Sequence, residues 1–328
     1  MLVLSRSDLQ SLVPMADAVA LMKVAFRELA AGRAEAPLRT VIDVDGAGAT
    51  LLMPGFVPAE RALGFKVVSV FGGNREKGLP TIHALVCLVD SETGAPVAIM
   101  EGGFLTALRT GAVSGAAADL LARPDATTLT VIGAGVQGIT QAVAVCAVRP
   151  IERIIAVDMS EDQLKRYQED MARDWPDVAG RVETTTDAAS AVAAADIICT
   201  ATTSRSPVFN AADVRPGTHI SAVGAYTPEM QELPAEIVAK ATVVVDETAA
   251  ALAEAGDLII PLNQGLVDRG HFERELGKVV SGEAPARTSS DEITLFKSVG
   301  NAVQDVVVAR RAVDLAQERG VGTQIDLG

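Results

Sequence analysis

LTVIGAGVQG, residues Leu129 to Gly138, is an apolar run that breaks into three glycines and restarts as an apolar segment. Leu129 to Ile132 have the composition of a buried strand, and the residues after Gly138 that of a helix. Each glycine has its own task. Gly133 permits a tight turn, Gly135 lets the backbone approach a pyrophosphate, and Gly138 lets helix and strand pack closely. The first turn of a helix offers free N–H groups and partial positive charge, which suits a phosphate. RIIAVD then ends at Asp158, about twenty residues beyond the glycines, where a carboxylate accepts from the adenine-side ribose hydroxyls. These parts in this order predict a dinucleotide-binding α/β unit with Gly133, Gly135, Gly138 and Asp158 against the cofactor. The Asp158 charge would repel a 2′-phosphate, which favours NAD(H). Arg153 or Lys165, folding over a phosphate, would admit NADP(H).

Working outward from this stretch, ADIICTAT, THISAVGA and TVVVDE read as further strands, separated by helical segments such as EDQLKRYQEDMARDW. Strands alternating with helices predict a parallel, doubly wound sheet. Toward the N-terminus the pattern differs. Met1 to Ser5 reads as a short strand, and Pro14 opens a helix to Gly32 with Val19, Met22, Phe26 and Leu29 on one face. RTVIDV, TLLMP, ALGFKVVSVF, TIHALVCLVD and APVAIM are short strands divided by turn residues, which predicts a mostly antiparallel sheet. TALRTGAVSGAAADLLA follows as an Ala-rich helix starting at Thr110 or an earlier threonine. The last helix runs from near Asn301 to Gly320, with Val303, Val306, Val307 and Val313 on one side, and is expected to return to the first domain. The fold expected is therefore a Rossmann domain over residues 119–299. It is joined to an α+β substrate-binding and dimerisation domain over 1–118 with 300–328.

Composition narrows the partners. The 328 residues carry a net charge of −14, which excludes nucleic acid as a partner, since a polyanion needs a basic footprint. No apolar stretch reaches the length of a membrane span or a signal peptide, so no membrane is expected and the cytoplasm is the expected compartment. Cys87, Cys146 and Cys199 stand apart inside apolar runs and read as buried small hydrophobes. With no CxxC and only three histidines, no metal site is expected. His83 reads as a core histidine of its strand.

An anionic substrate would need local cations within this acidic chain. Arg39 in PLRTVID, Lys66 in LGFKVVSV and Arg109 in FLTALRTGAVSGAAA lie among apolar or small residues, where a solvated charge is out of place. Arginine suits a two-pronged grip on a carboxylate, and lysine supplies a compact charge whose pKa moves readily on burial. Converging, the three would bind one carboxylate and polarise its neighbour. Scattered, each is an ordinary surface or ion-paired cation.

The chain resembles the ornithine cyclodeaminase/μ-crystallin family over almost its whole length. The resemblance rests on PLRT, LLMP, GFKVV, TIHALVCLVD followed by TG, LRTGAVSGAA, GAGVQG, Asp158, GAYTPEMQEL and KSVGNAVQD. It implies that Arg39, Lys66 and Arg109 surround a substrate carboxylate beside the nicotinamide, with Val299 lining the pocket. It implies cofactor contacts at Thr81, Arg109, Val136, Gln137, Asp158, Thr200, Thr202, Val223, Gly224, Ala225, Tyr226 and Ser298, and a homodimer joined through the N-terminal domain.

Two departures bear on the chemistry. The family's cyclodeaminases carry an aspartate where this chain has Tyr226, and an acid where it has Leu51. A substrate ammonium facing Leu51 would lack its partner, at a cost of about 3–5 kcal/mol. Reduction of a preformed cyclic ketimine needs neither acid. The branch most resembled is that of the ketimine reductases, which implies NAD(P)H-dependent reduction of Δ1-pyrroline-2-carboxylate or Δ1-piperideine-2-carboxylate to L-proline or L-pipecolate. Leu51 would then face the ring, and the proton would come from water, Lys66 or Tyr226. Two alternatives stand beside it: an ornithine cyclodeaminase or alanine-dehydrogenase-like enzyme, and a non-catalytic, μ-crystallin-like ligand-binding protein.

Overall fold

A computed structural model describes residues 1–326. These divide into two compact units, one of Met1–Arg109 with the chain from Asn301 onward, the other of Thr110–Gly300. The change of pattern set the boundary near residue 118; the division falls earlier in the same helix, Gly102–Leu121, after Arg109.

The first unit is built on strands β1 (Leu2–Leu4), β2 (Thr40–Asp43), β3 (Ala49–Val57), β4 (Ala62–Val70), β5 (Ile82–Val89) and β6 (Pro96–Glu101). With a short C-terminal strand, Thr323–Gln324, they form one sheet ordered Thr323–Gln324, β1, β6, β5, β4, β3, β2. From β2 to β6 every pairing is antiparallel, and β1 joins β6 in parallel. The second half of β3 and the first half of β4 alternate buried with more exposed residues, as expected of a sheet covered mainly on one face. The cover is the C-terminal helix Ala302–Arg319. Asn301 caps it by accepting from the Val303 N–H at 3.0 Å, and Gly320 ends it with φ 66°. Gly55 lets it come close, since a Cβ there would lie 3.1 Å from the Ala302 Cβ. The helix expected to open at Pro14 spans Met15–Ala30, and a shorter one, Arg6–Leu12, precedes it behind a Ser5–Asp8 capping box. The Ala-rich helix starts earlier than any threonine: Glu101 accepts from the Gly103 and Phe104 N–H groups and so caps it.

The second unit holds β7 (Thr128–Ile132), β8 (Arg153–Val157), β9 (Val182–Thr185), β10 (Ile197–Thr200), β11 (His219–Ala222), β12 (Thr242–Val245) and β13 (Thr294–Lys297). The sheet is parallel throughout, in the order β12, β13, β11, β10, β7, β8, β9. The sequence anticipated five of these strands; β9 and β13 are additional. β10, β11 and β13 are buried at every residue, which a parallel sheet covered by helices on both faces requires. The fold is α/β, a doubly wound Rossmann-like sheet with a second unit built on a mixed sheet. The order reverses between β7 and β10, and in such sheets ligands bind at that switch point, beyond the carboxyl ends of the strands.

Candidate functional site

In the first unit, register gathers the cations. Lys66 on β4 lies opposite Met53 on β3 and Val86 on β5. Thr40 lies opposite Leu52, so Arg39, one residue earlier, extends the row of Met53 and Lys66. Leu51 pairs with Val41 and Val68, two residues along each strand, and so shares the Lys66 face. The C-terminal helix sets Asp305 against that face. Lys66 Nζ lies 2.8 Å from Asp305 Oδ2, and Arg109 Nε donates to Asp305 Oδ1 at 3.0 Å. Arg109 Nη1 also donates to Gln304 Oε1 at 2.5 Å. Lys66 is 1% exposed and Asp305 fully buried. Burial, the Arg109 charge and the Arg39 charge push the Lys66 ammonium down to about 8, against the pull of Asp305. Arg39 is half-buried and acts on Lys66 through its field. The three basic residues therefore converge rather than scatter. Asp305 and Gln304, which anchor the arrangement, were absent from the sequence-derived site. Their signal was a charge inside an apolar helix, in AVQDVVVA.

Thr81 lies just before β5 in the same unit, half-buried, its carbonyl accepting from the Phe71 N–H. His83 is not in the core. It is exposed near the start of β5, paired with Ser69 on the face opposite Lys66. Of the cysteines, Cys199 is buried and the other two only half-buried.

In the second unit, the turn after β7 has the form that the glycines predict. Gly133 has φ 102°, and a Cβ on Gly138 would press into the Gly133 carbonyl oxygen. Gly135 differs: a Cβ there would meet no atom within 4 Å. No protein contact demands glycine at that position, and its open side is the cradle a pyrophosphate would occupy. The helix behind it, Val136–Cys146, has no side-chain cap on its first N–H groups, and Val136 in its first turn is 51% exposed. Asp158 follows β8, its carboxylate accepting from the Ala134 N–H at 3.1 Å and the Ser160 N–H at 3.0 Å. Arg153 starts the same strand, at the end away from Asp158, and is tied to Glu183 at 2.8 Å. It is therefore out of reach of a phosphate at Asp158, contrary to the option left open for it. Lys165 is exposed on the helix Glu161–Asp174.

The remaining expected contacts sit on the loops beyond β10, β11 and β13. Thr200 is fully buried, with its hydroxyl unpartnered. Thr202, Val223 and Gly224 are half-buried, Ala225 is buried and Tyr226 is 39% exposed. Gln137 lies in the first turn of its helix. Ser298 and Val299 are buried, the Ser298 hydroxyl donating to Asp246 Oδ2 at 2.7 Å and the Val299 N–H to the same oxygen at 2.9 Å. The uncapped helix, the open side of Gly135, the carboxylate after β8 and the orphaned Thr200 hydroxyl together fit a dinucleotide. Among the described residues, no single helix is long and apolar enough to cross a membrane.

The comparisons with known proteins agree over the full length. The Delta(1)-pyrroline-2-carboxylate reductase of Bacillus cereus is 40% identical over 328 residues, spanning 99% of this chain and 100% of the relative. Among solved structures, the Thermococcus litoralis Delta(1)-pyrroline-2-carboxylate reductase in complex with NADH and L-proline is 44% identical. It superposes with a TM-score of 0.94 over 99% of this chain and 100% of its own. An archaeal alanine dehydrogenase dimer with bound NAD is 34% identical, with a TM-score of 0.91 over 100% of this chain and 99% of its own. The model of the ornithine cyclodeaminase/mu-crystallin family matches residues 1–320, and the chain belongs to that family.

Proposed function

We propose that this protein is an NADH-dependent reductase of a cyclic ketimine carboxylate, Δ1-pyrroline-2-carboxylate or its six-membered homologue. The observation that carries the reading is the convergence of Lys66 and Arg109 on a single carboxylate, Asp305. Two buried cations sharing one acid leave a positive charge that a monoanionic substrate neutralises. Arg39 adds its guanidinium to the same row of the sheet. Leu51, on the Lys66 face, offers the ring an apolar neighbour.

When bound, the reduced nicotinamide supplies a hydride to the imine carbon, and the C=N electron pair passes to nitrogen, which takes a proton. Lys66 is the donor this reading favours over Tyr226 and water. With its pKa held to about 8 by burial and by Arg109, it is protonated at neutral pH yet a stronger acid than an ordinary lysine. Gly133, Gly135, Gly138, Val136 and Gln137 would hold the pyrophosphate. Thr200, Thr202, Val223, Gly224, Ala225, Tyr226 and Ser298 would hold the nicotinamide half. Asp158 favours NADH over NADPH, because its charge meets the 2′ position and Arg153 is engaged elsewhere.

Cyclodeamination is disfavoured by chemistry at the same site. It needs acids for the amines, and Asp305, the acid present, has both oxygens engaged by Lys66 and Arg109. The names of the Bacillus and Thermococcus relatives support reduction of the imine. The archaeal relative keeps reductive amination of pyruvate as a second reading. The test supplies purified protein with Δ1-pyrroline-2-carboxylate and NADH, and separately with ornithine or alanine and NAD+. NADH consumption with the imine and no ammonia from either amino acid supports the proposal; ammonia from ornithine or alanine overturns it.

A homodimer is part of the same proposal. Val41 and Ile42 on the edge strand β2, and Ile82 and Leu85 on β5, are each more than 40% exposed. Apolar surface of this kind in the first unit is what a second copy would cover. Sedimentation at a mass of one chain would contradict it.

A further inference from the structure

Beyond the carboxyl ends of β10 and β11, the loops are held by a buried acid that none of the expected contacts includes. Glu232 is fully buried. Its Oε1 accepts from the Thr202 N–H at 2.6 Å and the Thr202 hydroxyl at 2.9 Å. Its Oε2 accepts from the Gly224 N–H at 2.7 Å and the Ala225 N–H at 3.1 Å. One carboxylate thus fixes Thr202 on one loop to Gly224 and Ala225 on the next, where the backbone pairing of the two loops lies further along, between Ser204 and Gln231 and between Val208 and Glu232. A second acid braces the first: Asp257 Oδ1 accepts from the backbone N–H groups of Glu232 at 2.7 Å and Leu233 at 2.9 Å. Asp257 Oδ2 lies 2.9 Å from Lys297 Nζ, and Lys297 ends β13, directly before Ser298. Gly224 packs so tightly here that a Cβ would press on the Thr202 carbonyl oxygen and Glu232 Oε1.

In a doubly wound sheet the half with the glycine turn and the ribose-binding acid takes the adenine side. β10, β11 and β13 form the other half, so their loops face the nicotinamide side. We infer that Glu232 is a positioning residue for the nicotinamide half of the cofactor, fixing Thr202, Gly224 and Ala225, with Asp257 and Lys297 as its support. This rests on the proposed binding of a dinucleotide by the second unit.

Glutamine is not a conservative replacement at this position. Both oxygens face donors, and an amide keeps one acceptor while turning a second donor toward N–H groups. The test titrates wild-type protein and Glu232→Gln with NADH and with ADP, which carries the adenosine and both phosphates but no nicotinamide. The expected result is a loss of NADH affinity of about tenfold or more, about 1.4 kcal/mol, with ADP affinity unchanged. Gly224→Ala displaces the same two loops without altering a charge, and should give the same split where Glu232→Gln fails to fold. Equal losses for both ligands, or no loss for either, overturn the positioning role while leaving dinucleotide binding intact. A wild-type protein that binds neither NADH nor ADP overturns the dinucleotide reading itself.

Discussion

The two units each bury a lysine against an aspartate, and the surroundings of the two pairs are opposite in charge. In the second unit Lys297 stands with two acids, Asp257 and Glu232, and burial pushes the Glu232 carboxyl up against the pull of Lys297 and of the Thr202 donors. The excess negative charge is met by backbone N–H groups of Thr202, Gly224, Ala225 and Leu233, so it is spent on shaping loops. In the first unit one carboxylate, Asp305, serves two buried cations, Lys66 and Arg109. There the excess is positive and is presented by side chains, which suits capture of an anion. Similar buried pairs thus do different work according to which sign is left over and what answers it.

The largest effect expected from breaking this contrast is on folding. Asp305→Asn strands two buried cations and should lower the unfolding free energy by about 3–5 kcal/mol, read from urea denaturation. A loss below about 1 kcal/mol would mean that Lys66 and Arg109 find other partners. Lys66→Ala should lower kcat/KM for the imine by about tenfold or more while leaving NADH affinity unchanged. Equal losses in both would place the lysine outside substrate binding.

The pH profile bears on Lys66 directly. Lys66 is charged below about 8 and neutral above it, so kcat/KM for the imine should fall as pH rises through that value. Lys66→Arg, which keeps its charge, should carry the fall to higher pH, and an unchanged midpoint would assign it to another group. A smaller effect is expected at the adenine end. Asp158→Ser should narrow the preference for NADH over NADPH by about fivefold, the scale of ~1 kcal/mol for one nearby charge in water. The smallest effect is expected from Arg153→Ala, which removes an exposed pair with Glu183 and should leave cofactor preference unmoved.

How much of this was legible in the sequence follows from how local each signal is. The Rossmann unit was readable because strand, glycine turn, helix and Asp158 lie within one short stretch and each residue acts on near neighbours. Arg39, Lys66 and Arg109 stood out as charges in apolar runs, but their convergence depends on register across three strands and on a helix from the far end of the chain. Asp305 pairs with Arg109 across 196 residues, and no local pattern announces it. Glu232 was hidden in a different way. Its partners are backbone N–H groups of loops, which carry no side-chain signature. His83 was misread because a run of strand residues says nothing about which face the sheet leaves uncovered. β9 and β13 are no shorter than β10 to β12, but VETT holds a single apolar residue and TLFK only two between a threonine and a lysine, so neither reads as an apolar run.

The most direct test of the anion site compares two planar rings that differ in one group. Pyrrole-2-carboxylate and pyrrole-2-carboxamide are titrated calorimetrically into wild-type protein and into Lys66→Ala in the presence of NADH. The acid should bind wild type about tenfold or more tightly than the amide, and that advantage should largely vanish in the variant. Equal affinity of the two rings for the wild type, or an advantage that survives loss of the lysine, would contradict the account.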